Sequence, residues 1–373
     1  MSQPPPPSGS VEEHEARFRK ELTHCINCQV RDSGEWVWIH GSKIYIEELF
    51  DWLEVSESMR DDIVDRVDCP WCGSPLERTM DVGIRHDFER AHDERLNEAR
   101  DRYEDELWDF VHHLEAYPFL GASHELGQRI AEMIDEFPTL SVEDHLWHRA
   151  RAIRSGREFG PEDLLPPNPD EVDIPAGRYH HPGQPQWYLA SEPAAAVAEV
   201  TTAGEQMAWV QDFRVRQLDN VLDLRSWTPH DRRAFDEYED LSEFPLIAIA
   251  LVFSDTLTQR SDDESGQQHS EHYPSRYVAD LARLRGNNGI LFRSARHLDE
   301  NLVIFDPAFE CGPVGEPEIV ELSPMEVHRR DKGYTHDGFP VLTPGGSLPL
   351  RPGRGEGNAN DDRTDEAPDA PPR

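Results

Sequence analysis

The sequence predicts an α+β protein in two parts, a mainly helical N-terminal part and a second part that mixes strands with helices. Three observations carry this. Residues 84–116 hold a long helical apolar repeat, the chain after residue 140 breaks into short apolar runs of strand length, and two C-x-x-C pairs sit in the helical part.

The repeat runs through Phe88, Ala91, Leu96, Ala99, Tyr103, Leu107, Phe110, Val111 and Leu114. Their spacing, mostly three and four, puts them on one face of a helix. A second helix is expected over 124–136, where Leu126, Ile130, Ala131 and Ile134 share a face and Pro138 ends it. In the second part, Trp187–Ala190, Met207–Phe213, Ile290–Phe292 and Leu302–Phe305 suit strands. Helices are expected at 192–203, 229–239 and 273–285, with Pro193 in the first turn of the first. Phe244–Phe253 is apolar throughout and fits either a buried strand or a helix. Residues 1–10 and 344–373 have the Pro/Gly/polar composition of disordered tails, and Ser261–Ser270 reads as an exposed insertion. No internal repeat is present.

Composition excludes several classes. No stretch approaches the roughly 20 apolar residues that span a bilayer, and MSQPPPPSGS lacks the regions of a signal peptide. A cytoplasmic location is the expectation. The formal charge is −37, from 74 acidic and 37 basic residues, and lysine occurs only at 20, 43 and 332. Acid spread along the whole chain suits a protein working in a high-salt cytoplasm, where screening is short-ranged and carboxylates hold water. It also speaks against broad nucleic-acid binding, since no basic stripe stands out.

Cys25-Ile26-Asn27-Cys28 and Cys69-Pro70-Trp71-Cys72-Gly73 are two knuckles. Each can offer two thiolates to one face of a Zn²⁺ ion, and together they complete a tetrahedron. A redox disulfide is the rival reading. Four thiolates leave no open position, so the expected zinc is structural. Cys311 has no partner in this pattern.

Two separated segments put polar groups at the ends of apolar runs. One is Gly177-Arg178-Tyr179-His180-His181-Pro182-Gly183 through Trp187-Tyr188-Leu189-Ala190 to Glu199; the other is Gly289-Ile290-Leu291-Phe292-Arg293-Ser294-Ala295-Arg296, then Asn301-Leu302-Val303-Ile304-Phe305. Each polar residue has a plainer reading alone: Glu199 a solvated helix position, Tyr188 core, Ser294 a cap, Arg149 and Arg151 surface charges. Taken together they resemble the RES domain, a family named for its arginine, glutamate and serine. The resemblance covers 142–325. Residues 11–140, with the double C-x-x-C, resemble the N-terminal extension of some of these proteins that is classed with HEPN domains.

The resemblance implies an ADP-ribosyltransferase-like fold acting on NAD⁺, which relatives cleave at the nicotinamide–ribose bond by phosphorolysis, hydrolysis or transfer to protein. Many relatives are toxins, so a cognate antitoxin is the implied partner; homo-oligomerisation stays open. By position, Arg149 matches the family arginine that holds the NAD⁺ phosphates, with Arg151 as fallback. Tyr188 would orient the nicotinamide ribose, and Glu199 and Ser294 match the glutamate and serine. Arg178 is a candidate phosphate ligand. His180 and His181 are read as turn residues before Pro182. The chain departs from compact relatives in its insertion around 255–271, and in Tyr273-Pro274-Ser275-Arg276-Tyr277 where a Thr-Gln pair is commoner. Arg102 lies too far from His112 and His113 for the HEPN ribonuclease pattern. Two rival functions are carried: a protein ADP-ribosyltransferase on the same scaffold, and a zinc-bearing binding protein with an inactive pocket.

Overall fold

Leu22–Cys25 (β1), Ser42–Tyr45 (β4) and Asp81–Ile84 (β5) form a three-stranded antiparallel sheet in the order β1-β5-β4. The computed structural model describes residues 9–332 except 33–34, 154–156, 203, 226–271, 295 and 298. The expected helix at 229–239, the run Phe244–Phe253, the insertion at 261–270, the C-terminal tail and most of the N-terminal tail lie outside the described residues, as do the side chains of Phe88, Ala91 and Leu96.

Before β1 comes α1 (Val11–Glu21), started by a capping box in which Ser10 and Glu13 satisfy each other's backbone amides. A small hairpin, β2 (Val30–Asp32) with β3 (Glu35–Val37), follows the first cysteine pair. The helices α2 (Ile46–Trp52) and α3 (Glu57–Arg66) bury Leu49, Phe50 and Ile63 against Phe18 and the cysteines. The N-terminal part is therefore mainly helical but also holds strands, which the sequence reading missed because they are only three or four residues long.

The long repeat is helix α4 (Asp87–Ala116), and α5 (Glu125–Met133) runs into a 3₁₀ turn before Pro138. Their apolar faces do not close on each other alone. Tyr103, Phe110, Leu126 and Ile130 share one core with Tyr277, Val278, Ile290 and Val303 from the second part. The contact is close. The Tyr277 hydroxyl donates to the Gly127 carbonyl at 2.9 Å, and Gly127 faces the Gly121 carbonyl where a Cβ would collide with backbone.

Among the described residues the second part holds one sheet of β6 (Thr139–Ala152), β7 (Trp187–Ala190), β8 (Met207–Asp223), β9 (Gly289–Arg293), β10 (Glu300–Ile304) and β11 (Gly312–Glu321), in the order β11-β8-β6-β7-β10-β9. The end of β8 also pairs in parallel with β9, Val221 opposite Gly289, so β8, β6, β7, β10 and β9 close on themselves. All four expected strands are present, and β8 is longer than expected. β11 was not foreseen: it carries Pro313 and Pro317 on a mostly exposed edge with a register shift, so it lacks strand alternation.

Among the described residues this part also holds three α-helices: α6 (Pro193–Val200), α7 (Tyr273–Leu284) and α8 (Pro324–Lys332). The small residues of α6, Ala195, Ala196 and Ala198, are buried with Ala150, Ala190 and Ala208. Methyl groups on both sides let the helix lie close to the sheet. α8 reaches in two directions. His328 packs on Gly73, at the second cysteine pair, where a Cβ would lie 2.9 Å from its ring. The fully buried Arg330 donates to Thr201 Oγ1 at 2.7 Å, at the end of α6. Among the described residues no helix is long and apolar enough to cross a membrane.

A candidate active site on the closed sheet

One rung crosses the sheet: Asp212 on β8 pairs with His148 on β6, His148 with Ala190 on β7, Ala190 with Asn301 on β10, and Asn301 with Phe292 on β9. Residues opposite each other in a sheet share a face. Ala190 is the smallest of the five, and a cavity of about 230 Å³ opens there. It is lined by His148, Arg178, Tyr188, Ala190, Glu199 and Asn301 among others. That is just under the usual ligand-pocket range of roughly 300–1,000 Å³, a size for part of a dinucleotide.

Glu199 is near the end of α6, the helix that the alanines bring down onto the sheet. Its Oε1 accepts from Ser294 Oγ at 2.6 Å and from Asn301 Nδ2 at 2.7 Å. Both donors are 5% exposed, so these bonds are shielded from water. Ser294 Oγ in turn accepts the backbone N–H groups of Arg296 and His297, at 3.0 and 2.9 Å. Its one proton and both lone pairs are engaged. Ser294 therefore acts on the cavity through Glu199, as a positioning residue.

Tyr188 is on β7, and its hydroxyl sits 2.8 Å from His180 Nδ1 and accepts the Tyr179 N–H at 3.1 Å. His180 Nε2 lies 2.9 Å from the Pro175 carbonyl, which can only accept, so Nε2 carries the proton. Burial holds His180 down to about 4, so the ring is neutral near pH 7, and its Nδ1 accepts from Tyr188. Burial also pushes the Tyr188 hydroxyl up to about 12. The phenol is thus fixed at both ends and offers the cavity its ring. His181 is engaged elsewhere, 2.7 Å from Asp280.

Arg178 lines the cavity from the loop before β7. Arg149 borders it, but its guanidinium turns to the other side of β6. Nη1 donates weakly to the carbonyls of Gln186 and Tyr188, at 3.4 and 3.5 Å, and the group lies 6.0 Å from the Trp187 ring. Burial brings its pKa down to about 10, and its Nε is buried without a partner. Arg151 donates to the Leu165 carbonyl on the surface. The structure thus brings Tyr188, Glu199, Ser294 and Arg178 together, with Arg149 beneath them. Sequence reading missed His148 and Asp212, which share no motif and meet only through register, and gave Asn301 no role.

Residues 146–322 match the family model of the RES domain. This part of the chain is a RES domain. The match runs from within β6 to just past the end of β11 and contains Arg149, Arg178, Tyr188, Glu199 and Ser294. A solved structure similar to this chain is the crystal structure of the M. tuberculosis MbcT–MbcA toxin–antitoxin complex; it is 20% identical, with a TM-score of 0.32, over 54% of this chain and 96% of that chain. No curated protein matches the chain.

The four knuckle cysteines lie outside the RES domain. Their sulfurs are all within 4.8 Å of one another, with Cys25–Cys28 at 3.8 Å, Cys25–Cys72 at 3.6 Å and Cys28–Cys69 at 3.7 Å. Four sulfurs about 2.3 Å from one tetrahedral ion stand about 3.8 Å apart, so the set fits a metal of that size. The Cys25 N–H points to Cys69 Sγ at 3.3 Å, and Gly73 turns the chain at φ +69° directly after Cys72. Cys311 is buried apart from them, and burial pushes its thiol up to about 12.

Proposed function

We propose that the RES domain consumes NAD⁺ by breaking its nicotinamide–ribose bond, through phosphorolysis or hydrolysis, and that the chain acts as a toxin or defence effector. The observation that carries this is Glu199, with one carboxylate oxygen anchored by two buried donors inside a cavity that also holds Tyr188 and Arg178. Departure of nicotinamide leaves oxocarbenium-like charge on the ribose. A fixed carboxylate stabilises that charge without reorganising at the moment of reaction. The Tyr188 ring orients the nicotinamide ribose. Arg178 supplies a planar fork for the pyrophosphate, and Arg149 the buried charge behind it.

The four cysteines are assigned to a structural Zn²⁺. The donor set and spacing support it, and a closed thiolate shell takes no part in the reaction. Residues 11–140 are read as a HEPN/RES-type module ahead of the RES domain at 142–325, and an antitoxin protein as the natural restraint.

The test is nicotinamide release from NAD⁺ by the purified chain in molar KCl, with and without phosphate, beside Glu199→Ala. Release that needs phosphate and is lost in the variant is the expected result for a phosphorylase. Release independent of phosphate points to hydrolysis or to ADP-ribosylation of protein. Absence of release under all these conditions, with the wild type folded, overturns the proposal in favour of a binding role.

A further inference from the structure

We propose that His148 is a further catalytic residue of this cavity, the general base that takes the proton from a water molecule attacking ribose C1′. The proposal rests on the NAD⁺-cleaving reading above.

His148 stands on the same rung as the cavity floor, on the opposite side of Ala190 from Asn301. Neighbouring strands lie about 4.8 Å apart, so His148 and Asn301 are about 10 Å from each other, with the Ala190 methyl between them. Asn301 holds Glu199. The cavity is thus bounded by an anchored carboxylate on one side and an imidazole on the other.

The imidazole is oriented by a carboxylate. His148 Nδ1 lies 2.7 Å from Asp212 Oδ1, its direct cross-strand partner. An ionised carboxylate can only accept, so Nδ1 carries the proton, and in the neutral ring Nε2 presents its lone pair. Nε2 makes no hydrogen bond among the described residues, and the side chain is 11% exposed.

The other groups around the cavity are unsuited to this step. The Tyr188 hydroxyl already donates to His180, and the Ser294 hydroxyl to Glu199. Arg149 and Arg178 are cations with no lone pair to offer. Asn301 is an amide. Glu199 has to stay charged beside the developing cation.

Hydrolysis needs such a base. As the C1′–N bond breaks, its electron pair returns to the pyridinium nitrogen, and nicotinamide leaves neutral without requiring a proton. In hydrolysis the new C1′–O bond forms from water, which then has one proton to lose; hydrogen phosphate attacks through an oxygen that carries no proton and does not call on the base. The water's proton passes to His148 Nε2 and from there to solvent, while Asp212 stabilises the imidazolium. Asp212 is a positioning residue.

The test compares wild type with His148→Ala and uses azide, an anionic nucleophile that carries no proton. In phosphate-free buffer, where water is the nucleophile, nicotinamide release should fall about 100-fold or more in the variant. Affinity for ADP-ribose, measured by calorimetry, should stay within about twofold, and added azide should raise the variant's rate about tenfold or more while changing wild type little. A variant that cleaves at the wild-type rate overturns the proposal. So does a slow variant that still binds ADP-ribose but gains nothing from azide. If His148→Ala does not fold, the half-exposed Asp212 decides. Asp212→Asn should lower kcat about tenfold at unchanged ADP-ribose affinity, with Asp212→Glu restoring it; an unchanged kcat in Asp212→Asn overturns the role. Wild type that releases no nicotinamide with water, phosphate or azide removes the NAD⁺ reading itself and this step with it. That result is distinct from a fault in His148 alone.

Discussion

Glu199 is held by Ser294 and Asn301 on a single oxygen, and both donors are buried. Loss of either frees the carboxylate to rotate, so Ser294→Ala and Asn301→Ala should each lower nicotinamide release about 10- to 100-fold, through kcat more than through NAD⁺ affinity. Steady-state kinetics checks this, and a change confined to KM would contradict the anchoring role. Tyr188 allows a sharper contrast. Its hydroxyl is bonded to His180 and Tyr179, not to the cavity, so Tyr188→Phe should keep most of the activity, whereas Tyr188→Ala should remove it. His180 adds a pH dependence. Its pKa is held at about 4, against 6.5 for the free side chain. The folded state therefore favours the neutral ring. That contribution is complete above pH 6.5, declines as the pH falls, and is gone below about pH 4. Between those limits wild type should lose up to roughly 3 kcal/mol more stability than His180→Gln, as read by denaturant unfolding at each pH. Equal losses in the two proteins would rule the effect out. Tyr188, Glu199 and Ser294 were legible in the sequence because each sits at a fixed place in a motif. His148 and Asp212 were not, because only the β6–β8 register makes them neighbours, and register is invisible in one strand read alone.

Among the elements, those with a long or clean period were the legible ones. α4 and α5 announced themselves by three- and four-residue spacing, and α6 by Pro193 and its alanine run. The short strands β1 to β5 gave too few residues for alternation, and β11 was hidden by its prolines. What no period could show is that α4 and α5 complete the core behind the sheet. Gly127 marks that seam, since any Cβ there meets the Gly121 carbonyl. Gly127→Ala should cost about 1–3 kcal/mol despite alanine's better helix propensity, because backbone cannot move aside as a side chain does. A thermal melt reads it, and a stabilised variant would show that the seam is looser than its geometry implies.

For the whole molecule, the charge and the proposed zinc each carry a prediction about folding. A chain at −37 repels itself in dilute buffer. Raising KCl from about 0.1 M to about 1 M shortens the screening length from about 10 Å to about 3 Å, and the proposed high-salt habitat requires a clear rise in Tm over that range. A flat Tm would count against it. The four-cysteine cluster should hold one zinc per chain by elemental analysis, and Cys69→Ser or chelation should lower the melting temperature of the N-terminal part.

The closed sheet has a consequence in time. Its closing pairing joins Val221 on β8 to Gly289 on β9, and the cavity floor also needs β7 to meet β10, Ala190 opposite Asn301, which lie further apart still in sequence. Contacts so distant in sequence are slow to find. The cavity floor, which runs across all these strands, is therefore among the last features to form, and a nascent chain stays incapable of the proposed chemistry until the ring has shut.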